Sequence, residues 1–373
     1  MRVLRRFAVV LAIAVTLLFV FGRPVTWGQA AFVMWDIAAG GAPTPWQEVT
    51  AQPGDRSIRW DDGEGDLYLP AGPVRAAMVL VPGAAVLGRD EPRLQALART
   101  FARAGFAVLV PELPEVRRLA LSRADGERVA GALRHLGKAH PSVPLGVAAV
   151  SYAVAPAVIA VLEQDLAQRV AFLVSIGGYH DITAAIRFIT TGAFRPTGES
   201  REFRIEPNSY GRWAFLNANA GRLDNAVDAR LLQEIARLRF RNADADIAPL
   251  ASALGPQGRA VLAVVDNRDP DAVPGLIAAL PERVRQEIDG LNLALYDLSR
   301  LRGHLILVHG RGDPMVPYSE SMSLAASASG ARVSLFLIDD IGHVEFNAVN
   351  LANAWSMWRA VVALLDERSD ARL

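Results

Sequence analysis

An α/β fold with a mostly parallel central sheet flanked by helices is predicted by three observations. Continuous apolar runs alternate with helical segments over most of the chain. One of those runs, Leu145–Val150, leads straight into a helix-forming stretch, with Ser151 at the junction. The alternation stops near residue 182 and resumes near 303, so a long insertion interrupts one sheet. With 373 residues, 51% of them hydrophobic, the chain can bury a large core.

The N-terminus is a different material. Arg2, Arg5 and Arg6 precede an unbroken uncharged run over residues 7–22, the pattern of an export signal. The run is long for a cleaved signal peptide and short for a membrane span, although Pro24 to Trp27 would extend it past Arg23. No clean A-x-A site follows; Gly28-Gln29-Ala30 is a poor substitute. Residues 1–27 are therefore read as an N-terminal hydrophobic helix, a signal anchor in preference to a cleaved signal peptide. Positive charge ahead of the span puts the N-terminus in the cytoplasm. The expected location is the inner membrane with the body outside the cytoplasm, or export if the segment is cleaved. Residues 28–48, rich in Ala, Gly, Pro and Trp, read as a linker; Trp27, Trp35 and Trp46 would lie at the bilayer surface or pack on the domain.

The body starts near residue 49. Residues 56–60 and 66–69 flank the turn residues Asp61-Asp62-Gly63-Glu64-Gly65, a hairpin signal. Ala76–Val81 is the first continuous apolar strand. The helix over 91–104 has Leu94, Leu97, Ala98 and Phe101 at helical spacing and is ended by Gly105. A strand over 106–110, a helix over 125–140, the strand leading to Ser151 and the strand Val170–Ile176 follow. In such sheets ligands bind beyond the carboxyl ends of the strands, where Ser151 lies.

Over 182–302 the pattern is mixed, with helical character at 224–240 and in parts of 270–301, and a strand-like run at 261–265. This reads as a mostly helical cap dividing a core of 49–181 and 303–373. A strand over 304–309, a helix over 319–329, a strand over 333–338 and a final helix over 345–367 complete the sheet.

Composition excludes several classes. Thirty-nine basic and 39 acidic residues cancel, so nothing points to nucleic acid as a partner. The absence of cysteine removes disulfides, thiolate catalysis and Cys-ligated zinc. The six histidines show no metal-ligand spacing, and neither a metal nor a cofactor is expected.

Ser151 is flanked two residues away by Ala149 and Ala153, a relaxed form of the G-x-S-x-G nucleophile elbow. Small residues are needed because strand and helix backbones nearly touch at that turn. The turn lifts a hydroxyl over the positive end of the following helix, where it can attack a carbonyl. Alone the pattern is common, and the same residues would serve a serine that merely caps a helix. The partners decide. Val308-His309-Gly310-Arg311-Gly312-Asp313-Pro314-Met315-Val316-Pro317 closes the seventh strand, and Ile341-Gly342-His343 follows the last.

In these segments the chain resembles the α/β-hydrolase superfamily over roughly residues 50–370, the insertion apart. The first matches that family's H-G-x-x-D-x-x-V-P pattern and the second its Gly-His context. The resemblance implies an α/β-hydrolase fold with a helical cap inserted before the strand that precedes the triad acid. It also implies Asp313 as that acid and His343 as the base, in the order Ser151, Asp313, His343. A serine hydroxyl needs a histidine to take its proton and a carboxylate to orient that histidine. Asp181, at the end of the strand after the elbow, is a weaker alternative acid; Asp269 imitates the Asp313 turn inside the insertion, and His309 is read as structural.

The oxyanion hole would take one amide from Tyr152 and one from the loop after Ala76–Val81, where Ala84 or Ala85 donates. Many relatives begin that loop with His-Gly; this chain has Pro82-Gly83. The expected activity is hydrolysis of a small-molecule carboxylic ester or acyl substrate through an acyl-enzyme. An acyltransferase, thioesterase or peptidase of the same fold, or a catalytically silent membrane-tethered binding module, is the alternative. Phe188, Phe194, Trp213 and Phe215 suggest an apolar pocket in the cap or simple packing.

Overall fold

The computed structural model describes residues 24–83, 86–120, 122–339 and 351–369. Helices of at least eight residues are numbered. The chain opens with α1 (Pro24–Ala39) and a short helical turn, Pro45–Val49, before the hairpin β1 (Gly54–Trp60) and β2 (Gly63–Leu69). Next come β3 (Ala76–Val81), α2 (Pro92–Arg103), β4 (Phe106–Pro111), α3 (Ala124–Ala139), β5 (Leu145–Val150), α4 (Val154–Val161) and β6 (Val170–Ile176). The insertion holds α5 (Ile182–Thr191), α6 (Ser209–Asn219), α7 (Ala226–Arg241), α8 (Pro256–Val265) and α9 (Glu282–Gly290). The core closes with β7 (His304–Gly310), α10 (Ser319–Ser327), β8 (Arg332–Ile338) and α11 (Leu351–Leu365).

The eight strands form one sheet in the order β1-β2-β4-β3-β5-β6-β7-β8. The pairs made by β2, with β1 and with β4, are antiparallel and the rest are parallel. Every residue of β3 and β4 is buried, as expected of strands covered on both faces. Val129 and Leu133 of α3, Val158 of α4 and Leu324 of α10 pack on one face. Val33 of α1, Leu94 and Phe101 of α2 and Leu364 of α11 pack on the other. Gly105 takes φ +97 where α2 ends, a conformation that favours glycine. Register places Val150 beside Ile176 and Ile176 beside Val308, so the ends of β5, β6 and β7 lie level along one edge.

Two expectations are corrected. Residues 28–48 are not a free linker: α1 and the Pro45–Val49 turn pack on the core, with Ala30, Val33 and Trp46 buried. Residues 261–265 are helical, not a strand, because Pro256 sits in the first turn after Gly255 and starts a helix that the β-branched valines continue. Residues 1–23, most of the expected anchor, lie outside the described residues. Among the described residues no helix is long and apolar enough to cross a membrane.

Candidate active site

The elbow is set by local sequence. β5 ends at Val150, residues 151–153 make a single tight turn, and α4 starts at Val154. Ser151 takes φ +56, a left-handed conformation uncommon for a residue with a side chain. Such strain persists where the surroundings enforce it and clusters at functional sites. Here the enforcement is close packing: Ala149 and Ala153 are fully buried, and Ser151 is half-buried. The loop after β3 passes beside this turn. A Cβ placed on Gly83 would lie 3.4 Å from the Val150 carbonyl oxygen. Ala84, the expected second oxyanion donor, lies outside the described residues.

Tyr152 is anchored by its side chain. Its hydroxyl accepts the Ser122 N–H at 3.0 Å and donates to the Ala120 carbonyl at 3.4 Å, and its ring meets Phe215 edge-on. Burial pushes the phenol well above its ordinary pKa, so it stays neutral and structural. Its main chain is thereby fixed directly behind Ser151.

Asp313 follows β7 and is buried. Its Oδ1 accepts the amides of Met315 at 2.7 Å and Val316 at 3.1 Å, so the turn folds around the carboxylate. His309 braces the turn from below. Its Nε2 donates to the Val316 carbonyl at 2.9 Å, and the Ser321 hydroxyl, 2.7 Å from Nδ1, then donates to that nitrogen. The ring is a support for the turn, as read from the sequence. His343, the expected base, lies outside the described residues.

Asp181 occupies a different kind of position. It is the N-cap of α5, where Oδ1 accepts the Thr183 amide at 2.8 Å and the Asn292 side-chain N–H at 3.1 Å. That oxygen fastens the start of the insertion to its far end. Asp269 lies in an exposed turn, its Oδ1 bonded to the Asp271 amide.

A cavity of about 220 Å³ opens beside Ser151. Ser151 and Tyr152 line it from the elbow, and Met315 and Val316 from the Asp313 turn. Ile186, Phe215, Val261 and Val264 are among the cap residues that complete an almost wholly apolar wall. The structure therefore brings Ser151 and the two residues whose amides hold Asp313 to one cavity. Of the four cap aromatics named from the sequence, Phe215 lines it, whereas Phe188, Phe194 and Trp213 are buried in packing. No sequence signal singles out Met315, Val316 and the cap valines as lining residues, and the run at 261–265 reads as a strand. Among the described residues no cluster of His, Asp or Glu is arranged to hold a metal ion.

The sheet order, the reversed second strand and a strained serine after β5 agree on one arrangement. The chain has the α/β-hydrolase fold. Several solved structures are similar to it. They include a dienelactone hydrolase from Anabaena variabilis, with 14% identity and a TM-score of 0.44 over 85% of this chain and 97% of that one. An alpha/beta hydrolase superfamily protein from Enterococcus faecalis has 12% identity and a TM-score of 0.46, over 85% of this chain and 99% of that one. The acylaminoacyl peptidase of Pyrococcus horikoshii has 11% identity and a TM-score of 0.44, over 86% of this chain but only 40% of that protein's length. These likenesses carry no argument about activity. No family model matches the chain, and no curated protein matches it.

Proposed function

We propose that this protein is a serine hydrolase that cleaves carboxylic esters with an apolar acyl group. Ser151 Oγ attacks the ester carbonyl as His343 takes its proton. Asp313 orients His343 and balances its positive charge. Backbone amides of Tyr152 and Ala84 hold the oxyanion. The alcohol leaves with the proton from His343, and water then releases the acid from the acyl-enzyme by the same route. The acyl group enters the cap cavity.

The observation that carries this reading is a serine held at φ +56 at a strand end, on the wall of an apolar cavity. A helix cap does not require that strain. The hydrolytic reading is tested by treating the full chain with a fluorophosphonate probe. Labelling in the wild type that disappears in Ser151→Ala supports it; a folded wild type that takes no label sinks it and favours a binding role. Residues 1–27 we read as a signal anchor that holds the body outside the cytoplasm. Protease treatment of intact spheroplasts should digest the body, and protection would sink that assignment.

A further inference from the structure

Helix α1 is built inside out. Its one charged residue, Asp36, is buried at 2% exposure, where it accepts the Thr100 hydroxyl at 3.0 Å and the Gln47 side-chain N–H at 2.9 Å and lies 3.7 Å from Arg103. The Thr44 hydroxyl also bonds to it. The outward residues are Val25, Gly28, Ala31, Phe32, Trp35 and Ala38, without a charge among them. Phe32 is 43% exposed and Trp35 54%. A helix facing water carries the opposite arrangement, polar side out and apolar side in.

The neighbouring helix extends the same surface. The Trp358 indole of α11 donates to the Trp27 carbonyl at 3.0 Å and meets the Trp27 ring edge-on at 5.9 Å. Trp355, 58% exposed, stacks on Trp358 with centroids 4.7 Å apart. Three indoles thus run from α11 to the first turn of α1. That turn begins at Pro24, two residues after the uncharged run over residues 7–22 ends. Exposed apolar surface rimmed by indoles, whose rings combine an apolar body with an N–H, is the chemistry of a bilayer interface.

We propose that the joint outer face of α1 and α11 lies in the headgroup region of a lipid bilayer, so that the hydrolase body rests on the membrane instead of hanging from a tether. The proposal rests on the reading of residues 1–27 as a membrane segment. The Asp36 cluster gives it a purpose: it locks α1 to Thr100 and Arg103 of α2, and so holds the outer face of α1 fixed on the body.

Because the chain has no cysteine, Trp35→Cys and Trp355→Cys are unique attachment sites for an environment-sensitive fluorophore. Val227→Cys, 53% exposed on α7 in the cap, serves as the comparison position. Each full-length variant is reconstituted in phosphatidylcholine vesicles and checked by flotation and by thermal melting against wild type. The proposal expects blue-shifted emission at positions 35 and 355, and quenching by doxyl lipid several-fold greater than at 227. Proteins that do not float overturn both the anchor and the docked face. Proteins that float but show position 227's iodide access at 35 and 355 overturn the docked face alone. Protection from iodide without lipid quenching also overturns it, because residues 1–23 or a second copy then cover the patch. Should either tryptophan variant melt far below wild type, Phe32→Cys replaces it with the same expected readings.

Discussion

The sheet and its cap solve different problems with different kinds of sequence. β3 and β4 are buried at every position, and the strand order of the whole sheet sets Ser151 after β5 and Asp313 after β7 along one edge. The cap is a set of amphipathic helices. They share a small core of their own around Trp213, Leu232 and Ile235, and they turn a second apolar surface toward Ser151. On the proposed reading the sheet governs whether chemistry occurs, and the cap governs on what. Mutations in the two regions should separate accordingly.

The largest effect is expected at the elbow. Ser151→Ala and Ser151→Gly should each lower ester turnover by roughly a million-fold, as loss of a triad serine does. They should differ in stability, because only glycine adopts φ +56 without strain. Ser151→Gly should melt higher than Ser151→Ala, by the equivalent of about 1 kcal/mol or more. Equal melting temperatures would mean that the turn is not strained as described.

Next in size is the contrast between the two carboxylates. Asp313→Asn should cost about 10⁴-fold in turnover by presenting the wrong partner to the base. Asp181→Asn should leave turnover within a few-fold, since its Oδ1 is bonded to a helix amide and to Asn292. Stability should also change little, because asparagine keeps the oxygen that caps the helix. A reversed pair of results would move the acid to Asp181.

The cap should act on selectivity. Val261→Trp fills part of the cavity, and each excluded methylene forgoes about 0.8 kcal/mol of burial, close to a fourfold loss in kcat/KM. Long-chain p-nitrophenyl esters should lose activity stepwise while the acetate ester is unchanged. A uniform loss across chain lengths would show that the cavity does not receive the acyl group.

Legibility followed the same division. The core was readable because buried parallel strands are continuous apolar runs, and because the elbow and the Asp313 turn each require particular residues within a few positions. Helical periodicity shows which cap residues are apolar but not whether they face a neighbouring helix or a void, so Val261 and Val264 were not distinguishable from core. The run at 261–265 misleads because valine and leucine suit both states, and only Pro256 discriminates. Helix α1 misleads most, since burying Asp36 and exposing Trp35 inverts the rule by which amphipathic helices are read.

An effect on stability alone, with none on turnover, is expected at the junction of the two regions. Glu320 of α10 belongs to the core, and its Oε2 accepts the amides of His180 at 3.1 Å and Asp181 at 2.8 Å, where the insertion leaves β6. Burial raises its carboxyl from an ordinary 4.5 to about 7, only partly opposed by those two amides. A folded value above the unfolded one gives stability that is complete below 4.5 and is lost as pH rises to 7. The loss across that window is roughly 3 kcal/mol. Glu320→Gln keeps an acceptor for the amides and cannot ionise, so its melting temperature should fall less than the wild type's between pH 4.5 and 7, where Asp125, raised by burial to about 6, still contributes. Parallel curves for the two proteins would place the titrating group elsewhere. If instead the wild-type loss appears first in amide exchange of α5 and only later in the β-strands, the carboxyl acts on the attachment of the cap and not on the sheet.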